Sequence, residues 1–217
     1  MSLKYANLFD QMKYAIARDS ALAPGSPPLK VLIVSTWRSG SKFLGSLLAS
    51  HPGTFYSMEP LRFEGSVQDQ LGLLTDIFRC QFATHQDYVT YTKTFRYGWD
   101  NTQFHEYCMQ YPPSCTDAKF LQKVCPLFPV NLIKTVRLPL ADAERLIRDT
   151  GVKVIYLVRD PRGVMESRWT AKWCQDPCHS TQECNRCADE LCQLYTANLR
   201  AEQKLAKQYP ERYVKKL

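Results

Sequence analysis

The chain has 217 residues, of which 45% are hydrophobic and 23% are charged, with 28 Lys and Arg against 21 Asp and Glu. This composition excludes a disordered or fibrous protein, and the length suffices for one α/β core. The net charge of +7 favours anionic ligands. Nucleic acid is not indicated, because the chain has no basic run and no recognised nucleic-acid motif. No apolar stretch approaches the roughly 20 residues that cross a bilayer, and no signal peptide is present.

Residues 1–29 are predicted to form an N-terminal helix and a linker. Residues 3–17 are amphipathic, and the segment that follows has the composition of a connection, Ala23-Pro24-Gly25-Ser26-Pro27-Pro28. We therefore expect the globular domain to occupy residues 30–217.

A strand, a tight turn and a helix are predicted next. Residues 30–35 are apolar and β-branched, as in a strand covered on both faces, and residues 42–50 have helical periodicity. Four apolar residues share one face of that helix: Phe43, Leu44, Leu47 and Leu48. The turn between strand and helix is Arg38-Ser39-Gly40-Ser41.

This first turn has the chemistry of an anion site. Gly40 lets the backbone curl so that N–H groups converge, and the helix that begins at Ser41 and Lys42 adds the positive end of its dipole. Arg38 can donate to two oxygens, and further donors come from Ser39, Ser41 and Lys42. The turn is not a Walker A loop, because G-x-x-x-x-G-K-[ST] is absent. The alternative is an ordinary Ser/Gly turn that caps a helix.

The middle of the chain is predicted to add two strands and two helices. A short strand at residues 54–56 is followed by a run of helical spacing, Val67, Leu71, Leu74 and Phe78, which we expect to pack on the sheet. Residues 88–129 are aromatic, Pro-bearing and weakly periodic, and we interpret them as a variable insertion that shapes a groove. A strand at 131–136 and a helix at 141–149 follow.

A second basic turn follows the apolar strand predicted at residues 152–158, and its sequence is Arg159-Asp160-Pro161-Arg162. Asp160 is suited to cap a helix and Pro161 to its first position. Arg159 then ends the strand and Ser167 lies about two turns into the helix, so both can approach one anion. The alternative is that the two arginines only pair with acidic neighbours such as Asp160 and Glu166. If the two strands are neighbours, both turns together suit a ligand with two phosphate-like ends.

Five of the nine cysteines crowd together: Cys174, Cys178, Cys184, Cys187 and Cys192. The C-x-x-C formed by Cys184 and Cys187, with His179, is compatible with zinc, but no second C-x-x-C is present. In a secreted protein disulfides are the simpler account, with one thiol left over from the odd number. The other cysteines are expected to be structural too: Cys80, Cys108, Cys115 and Cys125.

The chain is predicted to end in a long helix and one more strand. One helical stripe is interpreted as core rather than ligand-binding: Leu191, Leu194, Tyr195, Ala201 and Leu205. The final strand is predicted to include Val214-Lys215-Lys216-Leu217.

Four segments resemble the Golgi carbohydrate sulfotransferases, in particular the branch that sulfates the 6-hydroxyl of galactose, N-acetylglucosamine or N-acetylgalactosamine. The family's 5′-phosphosulfate loop resembles Arg38-Ser39-Gly40-Ser41-x-Phe43-Leu44-Gly45, and its 3′-phosphate motif resembles Leu157-Val158-Arg159-Asp160-Pro161-Arg162 with Ser167. Its Tyr-x-x-Glu-Pro-Leu stretch resembles Phe55-Tyr56-Ser57-Met58-Glu59-Pro60-Leu61, and the strand before the second motif resembles Lys134-x-Val136-Arg137-Leu138. The match runs from about residue 30 to the C-terminus and is loose between residues 64 and 130.

The resemblance implies an α/β, P-loop-like three-layer sulfotransferase fold with a central parallel sheet. It implies sulfuryl transfer from 3′-phosphoadenosine 5′-phosphosulfate to a sugar hydroxyl of a glycan, glycosaminoglycan or proteoglycan, without a metal. It assigns donor binding to eight residues: Arg38, Ser39, Gly40, Ser41, Lys42, Phe43, Arg159 and Ser167. Arg38 and Lys42 would also stabilise the leaving phosphate. The family usually has a small hydroxyl residue in place of Lys42.

The acceptor hydroxyl needs a base, and Glu59 corresponds to the family's Glu-Pro glutamate. The alternative for Glu59 is a surface carboxylate before Pro60. His51 is a weaker candidate, because His-Pro-Gly typically marks a turn after a helix.

The family works in the Golgi lumen and carries an N-terminal membrane anchor. Since no anchor is present here, we expect a truncated chain, and part of the family's nucleotide contact lies beyond residue 217. Two other classes of protein stay open, a kinase-like phosphotransferase and a glycan-binding module that kept the fold. Against the kinase stand the missing Walker lysine and the lack of a magnesium carboxylate at a strand end.

Overall fold

A computed structural model describes residues 10, 11, 14, 16, 27–62, 67–95, 117–170 and 181–216. Within them five strands form one parallel sheet in the order β2-β3-β1-β4-β5. The strands are β1 (Leu29–Ser35), β2 (Thr54–Met58), β3 (Val130–Thr135), β4 (Lys153–Leu157) and β5 (Tyr213–Lys216). The predicted central parallel sheet is confirmed.

Seven α-helices are described between and after these strands. They are α1 (Ser41–Ala49), α2 (Val67–Phe78), α3 (Gln86–Phe95), α4 (Ala118–Val124), α5 (Ala143–Thr150), α6 (Pro161–Trp169) and α7 (Thr181–Gln208). Single 3₁₀ turns lie at Pro60–Arg62, Cys125–Leu127 and Leu140–Asp142. Asp10, Gln11, Tyr14 and Ile16 are helical, and the rest of the predicted N-terminal helix lies outside the described residues.

The sheet is covered on both faces, because alternate residues of each strand point to opposite sides. On one face Leu32 and Val34 of β1 pack with buried residues of α2 and α5. On the other face Ile33 joins Tyr56 and residues of α1. Helices on both sides of a parallel sheet make the three-layer α/β architecture that the family resemblance implied.

Helix α1 lies close to the sheet because small residues face it. Its buried residues are Ser41, Gly45 and Ala49, and a Cβ added at Gly45 would overlap the hydroxyl of Tyr56. The four apolar residues predicted on one face are therefore only half covered. Leu44 and Leu48 pack against the sheet, whereas Phe43 is 74% exposed and Leu47 is 56% exposed.

The segment interpreted as an irregular insertion is partly helical. Residues 88–95 continue α3, and α4 begins after Asp117, whose side chain accepts a hydrogen bond from the Lys119 N–H and caps the helix. Weak periodicity concealed these helices because α4 has only seven residues, followed directly by a 3₁₀ turn. Residues 96–116, with Cys108 and Cys115, lie outside the described part of the chain.

A disulfide joins Cys80, just after α2, to Cys125, at the start of the 3₁₀ turn before β3. The two Cα atoms are 5.6 Å apart and the bond closes a separation of 45 residues. A covalent link over this length restricts the unfolded chain and fastens the edge half of the sheet to α2. Structural roles for these two cysteines agree with the expectation from sequence.

Replacing both Cys80 and Cys125 by alanine should lower the free energy of unfolding by about 2–4 kcal/mol, the usual contribution of a disulfide. Chemical denaturation of the oxidised protein measures this loss. Cys192→Ala, at an exposed thiol on α7, is the control and should stay within about 0.5 kcal/mol of the parent. Free thiols at both positions in secreted protein would contradict the assignment.

Candidate functional site

The sheet has a topological switch point between β1 and β4. From β1 the chain passes to β2 and β3 on one side, whereas β4 is followed by β5 on the other side. In doubly wound sheets, ligands bind in the crevice at the carboxyl ends of such strands. The last residue pair of the ladder is Ser35 with Leu157, so both basic turns emerge at this crevice. The expectation that the two strands are neighbours is confirmed.

The first turn has an unusual backbone. Gly40 has φ +92° and precedes α1, and Arg38 has φ +68°, a left-handed conformation that costs a non-glycine residue about 1–3 kcal/mol. Gly40 has no side chain with which to cap α1, and no side-chain cap is seen there among the described residues. The first N–H groups of α1 thus face the crevice with the positive end of the helix dipole.

A pair of serines braces this turn from within. The Ser35 hydroxyl donates to the Leu157 carbonyl at 2.9 Å, so the 2.5 Å contact between Ser35 and Ser39 uses the proton of Ser39. Both residues are buried. The side chain of Ser39 therefore fixes the turn to β1 and β4, and its hydroxyl proton is directed inward rather than toward the crevice.

The two arginines of the second turn make different contacts. Asp160 caps α6 by accepting from the Arg162 N–H, and Arg162 also forms an ion pair with its carboxylate at 2.6 Å. Arg159 makes no such pair within the described residues, and its Nη1 donates to the Arg38 carbonyl at 2.9 Å. The local-pairing alternative holds for Arg162 and not for Arg159. A Cβ at Gly163 would lie 3.2 Å from Nε of Arg159, so the glycine makes room for this guanidinium.

The two turns are in direct contact. Nε of Arg38 donates to the hydroxyl of Ser167 at 2.9 Å, and Ser167 lies about two turns into α6, as predicted. Three of the residues selected from the sequence, Arg38, Arg159 and Ser167, are thus gathered in one cluster. Two guanidinium groups and a hydroxyl can bind an anion with several oxygens.

Tyr195 of α7 supports both turns, a role that sequence reasoning missed. Its hydroxyl donates to the Arg159 carbonyl at 2.8 Å and lies 3.5 Å from the hydroxyl of Thr36. Its ring is buried with Val164 and Leu191. The sequence showed Tyr195 only as one member of an apolar stripe, and nothing in its spacing indicated the hydroxyl contact.

Glu59 lies at the same edge of the sheet as the two turns, at the end of β2, and is the centre of a buried ion cluster. It is 8% exposed, and its backbone is left-handed with φ +53°. Its carboxylate accepts from Lys134 Nζ at 2.5 Å and from Arg137 Nη1 at 2.7 Å. Glu59 is therefore not a surface carboxylate before Pro60. Lys134 and Arg137 stood in a segment of family resemblance without an assigned role, and no signal in the sequence paired them with Glu59.

Of the remaining predicted residues, three lie in the first turn of α1, whereas His51 lies at the opposite edge of the sheet, where β2 begins. Ser41 is buried at the start of α1, and the side chains of Lys42 and Phe43 are exposed in the same turn of helix. His51 occupies the turn after α1, where its Nδ1 accepts from the Gly53 N–H at 3.2 Å. This position matches the turn that His-Pro-Gly indicated.

The described residues contain no group of three or more His, Cys, Asp or Glu side chains placed to hold a metal ion. Cys192 is exposed and forms no disulfide with another described residue, and the side chains of the other four clustered cysteines lie outside the described part. In the described ranges, no helix combines the length and apolar character needed to cross a membrane.

A doubly wound sheet with two basic turns at its switch point is typical of α/β domains that bind anionic ligands. The chain belongs to the sulfotransferase domain family, which matches residues 28–197. Together with the carbohydrate sulfotransferases among its relatives, this match confirms the resemblance that the motifs indicated.

Its relatives include several carbohydrate sulfotransferases. Carbohydrate sulfotransferase 4 of Mus musculus is 29% identical over 173 residues, which cover 65% of this chain and 45% of that protein. Carbohydrate sulfotransferase 1 of Danio rerio is 30% identical over 181 residues, which cover 64% of this chain and 43% of that protein. The chain spans less than half the length of these relatives. A solved structure, the sulfotransferase domain from the Synechococcus PCC 7002 olefin synthase, has a TM-score of 0.43 and 20% identity, covering 90% of this chain and 69% of that one.

The cap of α6 generates a prediction about pH. The hydrogen bond from Arg162 lowers the pKa of Asp160 from 3.8 to about 2. Because folding lowers this pKa, the cap stabilises the helix fully at pH values above the ordinary pKa of an aspartate. This stabilisation is lost as the pH falls through the pKa that Asp160 has in the folded protein. Arg162→Gln should move the pKa of Asp160 up toward 3.8, as measured by carbon NMR titration of the carboxyl group. Arg148→Gln, in α5, should leave the titration unchanged, and equal pKa values in parent and Arg162→Gln would refute the pairing.

Proposed function

We propose that this domain transfers a sulfuryl group from 3′-phosphoadenosine 5′-phosphosulfate to a sugar hydroxyl of a glycan or glycosaminoglycan, at the 6-position. The observation that carries this proposal is the contact between the two turns, in which Arg38 reaches Ser167 at 2.9 Å. Two basic turns so close suit one ligand with an anionic group at each end. The family membership and the names of the relatives supply the reaction class.

The donor supplies the sulfuryl group and departs as adenosine 3′,5′-bisphosphate. In this proposal the turn at Arg38 and the N–H groups at the start of α1 bind the 5′-phosphosulfate, with Lys42 adding charge. Arg159 and Ser167 bind the 3′-phosphate. A left-handed glycine and an uncapped helix N-terminus fit the first group, and the guanidinium of Arg159, for which Gly163 leaves room, fits the second. Fixed cations at the leaving oxygen stabilise the charge that develops there without reorganising.

Glu59 is proposed as the base that takes the proton of the acceptor hydroxyl. Its support is its position at the end of β2, at the sheet edge that carries both turns, as a buried carboxylate held by two cations. Oε1 accepts from Lys134 alone among the described residues, which leaves it a lone pair for the proton. The new bond then joins the acceptor oxygen to sulfur, and the bond between sulfur and the bridging phosphate oxygen breaks.

We further propose the Golgi lumen as the place of action, with a glycan or proteoglycan acceptor and membrane attachment through a segment outside this chain. The Cys80–Cys125 disulfide supports an oxidising compartment. The names of the relatives support a carbohydrate acceptor.

One binding assay separates the proposal from its rivals. The protein is applied to immobilised adenosine 3′,5′-bisphosphate and eluted with that nucleotide or with ATP, followed by a test for transfer of labelled sulfate. Retention with elution by the bisphosphate alone supports a sulfotransferase. A preference for ATP favours a kinase-like phosphotransferase, and lack of any retention favours a glycan-binding module.

Arg38→Ala and Arg159→Ala should each weaken binding of adenosine 3′,5′-bisphosphate by about 1.5–3 kcal/mol, because each removes a charge-assisted hydrogen bond. Calorimetry on folded variants measures the loss. Lys204→Ala, whose side chain pairs with Glu144 on the protein surface, is the matched control and should bind normally. Unaltered affinity in both arginine variants would rule out these roles.

Glu59→Gln should lower turnover by roughly 10²–10⁴-fold while donor affinity changes little, because glutamine keeps the size of the side chain but cannot accept the proton. Turnover and nucleotide affinity are measured well below the melting temperature. Glu144→Gln alters a carboxylate of the surface ion pair with Lys204 and should stay active.

A purely structural role of Glu59 predicts a different result. If Glu59 serves only to neutralise its two cations, the variant loses a buried ion pair, and stability falls by about 3–5 kcal/mol together with activity. A stably folded Glu59→Gln enzyme with near-normal turnover would place the base elsewhere; His51, the other candidate from the sequence, lies at the opposite edge of the sheet.

A further inference from the structure

Two residues on either side of β3 have left-handed backbones although neither is glycine. Arg38 follows β1 and has φ +68°, and Glu59 follows β2 and has φ +53°. Strand β3 lies between β1 and β2 in the sheet, so the residues after β3 emerge between these two. Such conformations persist only where the surroundings hold them. A common support is therefore expected in the segment after β3.

Arg137 is placed to be that support. Its Nη1 donates to Glu59 Oε2 at 2.7 Å, and its guanidinium carbon lies 5.4 Å from the centre of the Trp37 ring. Trp37 directly precedes Arg38. The Arg137 backbone is itself fixed, because its N–H donates to the Thr135 hydroxyl at 3.1 Å.

We propose that Arg137 is a positioning residue that couples Glu59 to the turn of Arg38 through Trp37. This inference rests on the proposed function, which gives Glu59 to the acceptor side and Arg38 to the donor side. One edge of the guanidinium holds the Glu59 carboxylate, and its central carbon lies over the Trp37 ring, 5.4 Å from the ring centre. The two halves of the reaction are thereby held in a fixed relation.

Only arginine can make both contacts in this way. A lysine that pairs with Glu59 commits its single compact ammonium to the carboxylate, whereas arginine spreads its charge over a planar fork that can also lie over a ring. Arg137→Lys should therefore keep the ion pair and lose the contact with Trp37. Arg137→Gln should lose both contacts and reduce turnover as well as donor affinity.

The test is a double-mutant cycle on Arg137 and Trp37. Arg137→Lys and Trp37→Leu should each raise the dissociation constant of adenosine 3′,5′-bisphosphate about two- to five-fold, the range expected from loss of one exposed cation–π contact. The double variant should be no weaker than the poorer single variant, because both changes remove the same contact. At saturating donor, Arg137→Lys should lose less turnover than Arg137→Gln, because the lysine keeps the ion pair with Glu59.

A second cycle and a control complete the experiment. Thermal unfolding of the same four proteins reports the Arg137–Trp37 contact without nucleotide, and Arg148→Lys, an exposed arginine of α5 paired with Asp149, should change neither readout. Coupling in both cycles supports the proposal. If the parent binds nucleotide, two results overturn the proposal. In the first, the two substitutions are coupled in stability but their effects on the dissociation constant multiply independently. In the second, Arg137→Lys binds nucleotide as the parent does. A parent protein that binds no nucleotide overturns the proposed function itself, and the coupling role with it.

Discussion

The parallel pairing of β1 with β4 is the constraint on which the site depends. Its register ends with Ser35 opposite Leu157, so the next residues of both strands emerge at one edge of the sheet. Arg38 can reach Ser167 because the two strands are hydrogen-bonded neighbours. A slip of one residue would turn every side chain of β1 to the opposite face. The packing of Leu32 on one side and Ile33 on the other therefore also secures the meeting of the two turns.

Charge at this edge is arranged to remain positive. Among the described residues, Arg38 and Arg159 contact each other through a carbonyl, while Lys134 and Arg137 share the single carboxylate of Glu59. A buried ion pair adds little net stability, because desolvation offsets most of the attraction. Its benefit here is order, since two cations on long side chains are held in one geometry. Cations that are already in place can stabilise developing negative charge at no further cost in reorganisation.

Sequence reasoning succeeded where the cause of the structure is local. The cap at Asp160 and the strands on either side of the two turns follow from adjacent residues, and they were predicted correctly. It failed where polar groups meet across the chain: Glu59 pairs with Lys134 and Arg137 over 75 and 78 residues. Tyr195 likewise reaches back 36 residues to Arg159. A single sequence records apolar periodicity, but it does not record which distant hydroxyl or carboxylate will meet which carbonyl or cation.

The positions of the left-handed residues separate stability from function. Among the described non-glycine residues, Arg38, Glu59 and Cys80 have this backbone. Cys80 is retained by its disulfide. At Arg38 and Glu59 glycine would adopt the same φ without strain, so backbone stability alone favours glycine over either residue. What glycine cannot supply is the guanidinium on Ser167 or the carboxylate between Lys134 and Arg137. Local rules of conformation are thus broken at the two charged groups that the proposed chemistry needs most, as expected where a site rather than the fold determines the residue.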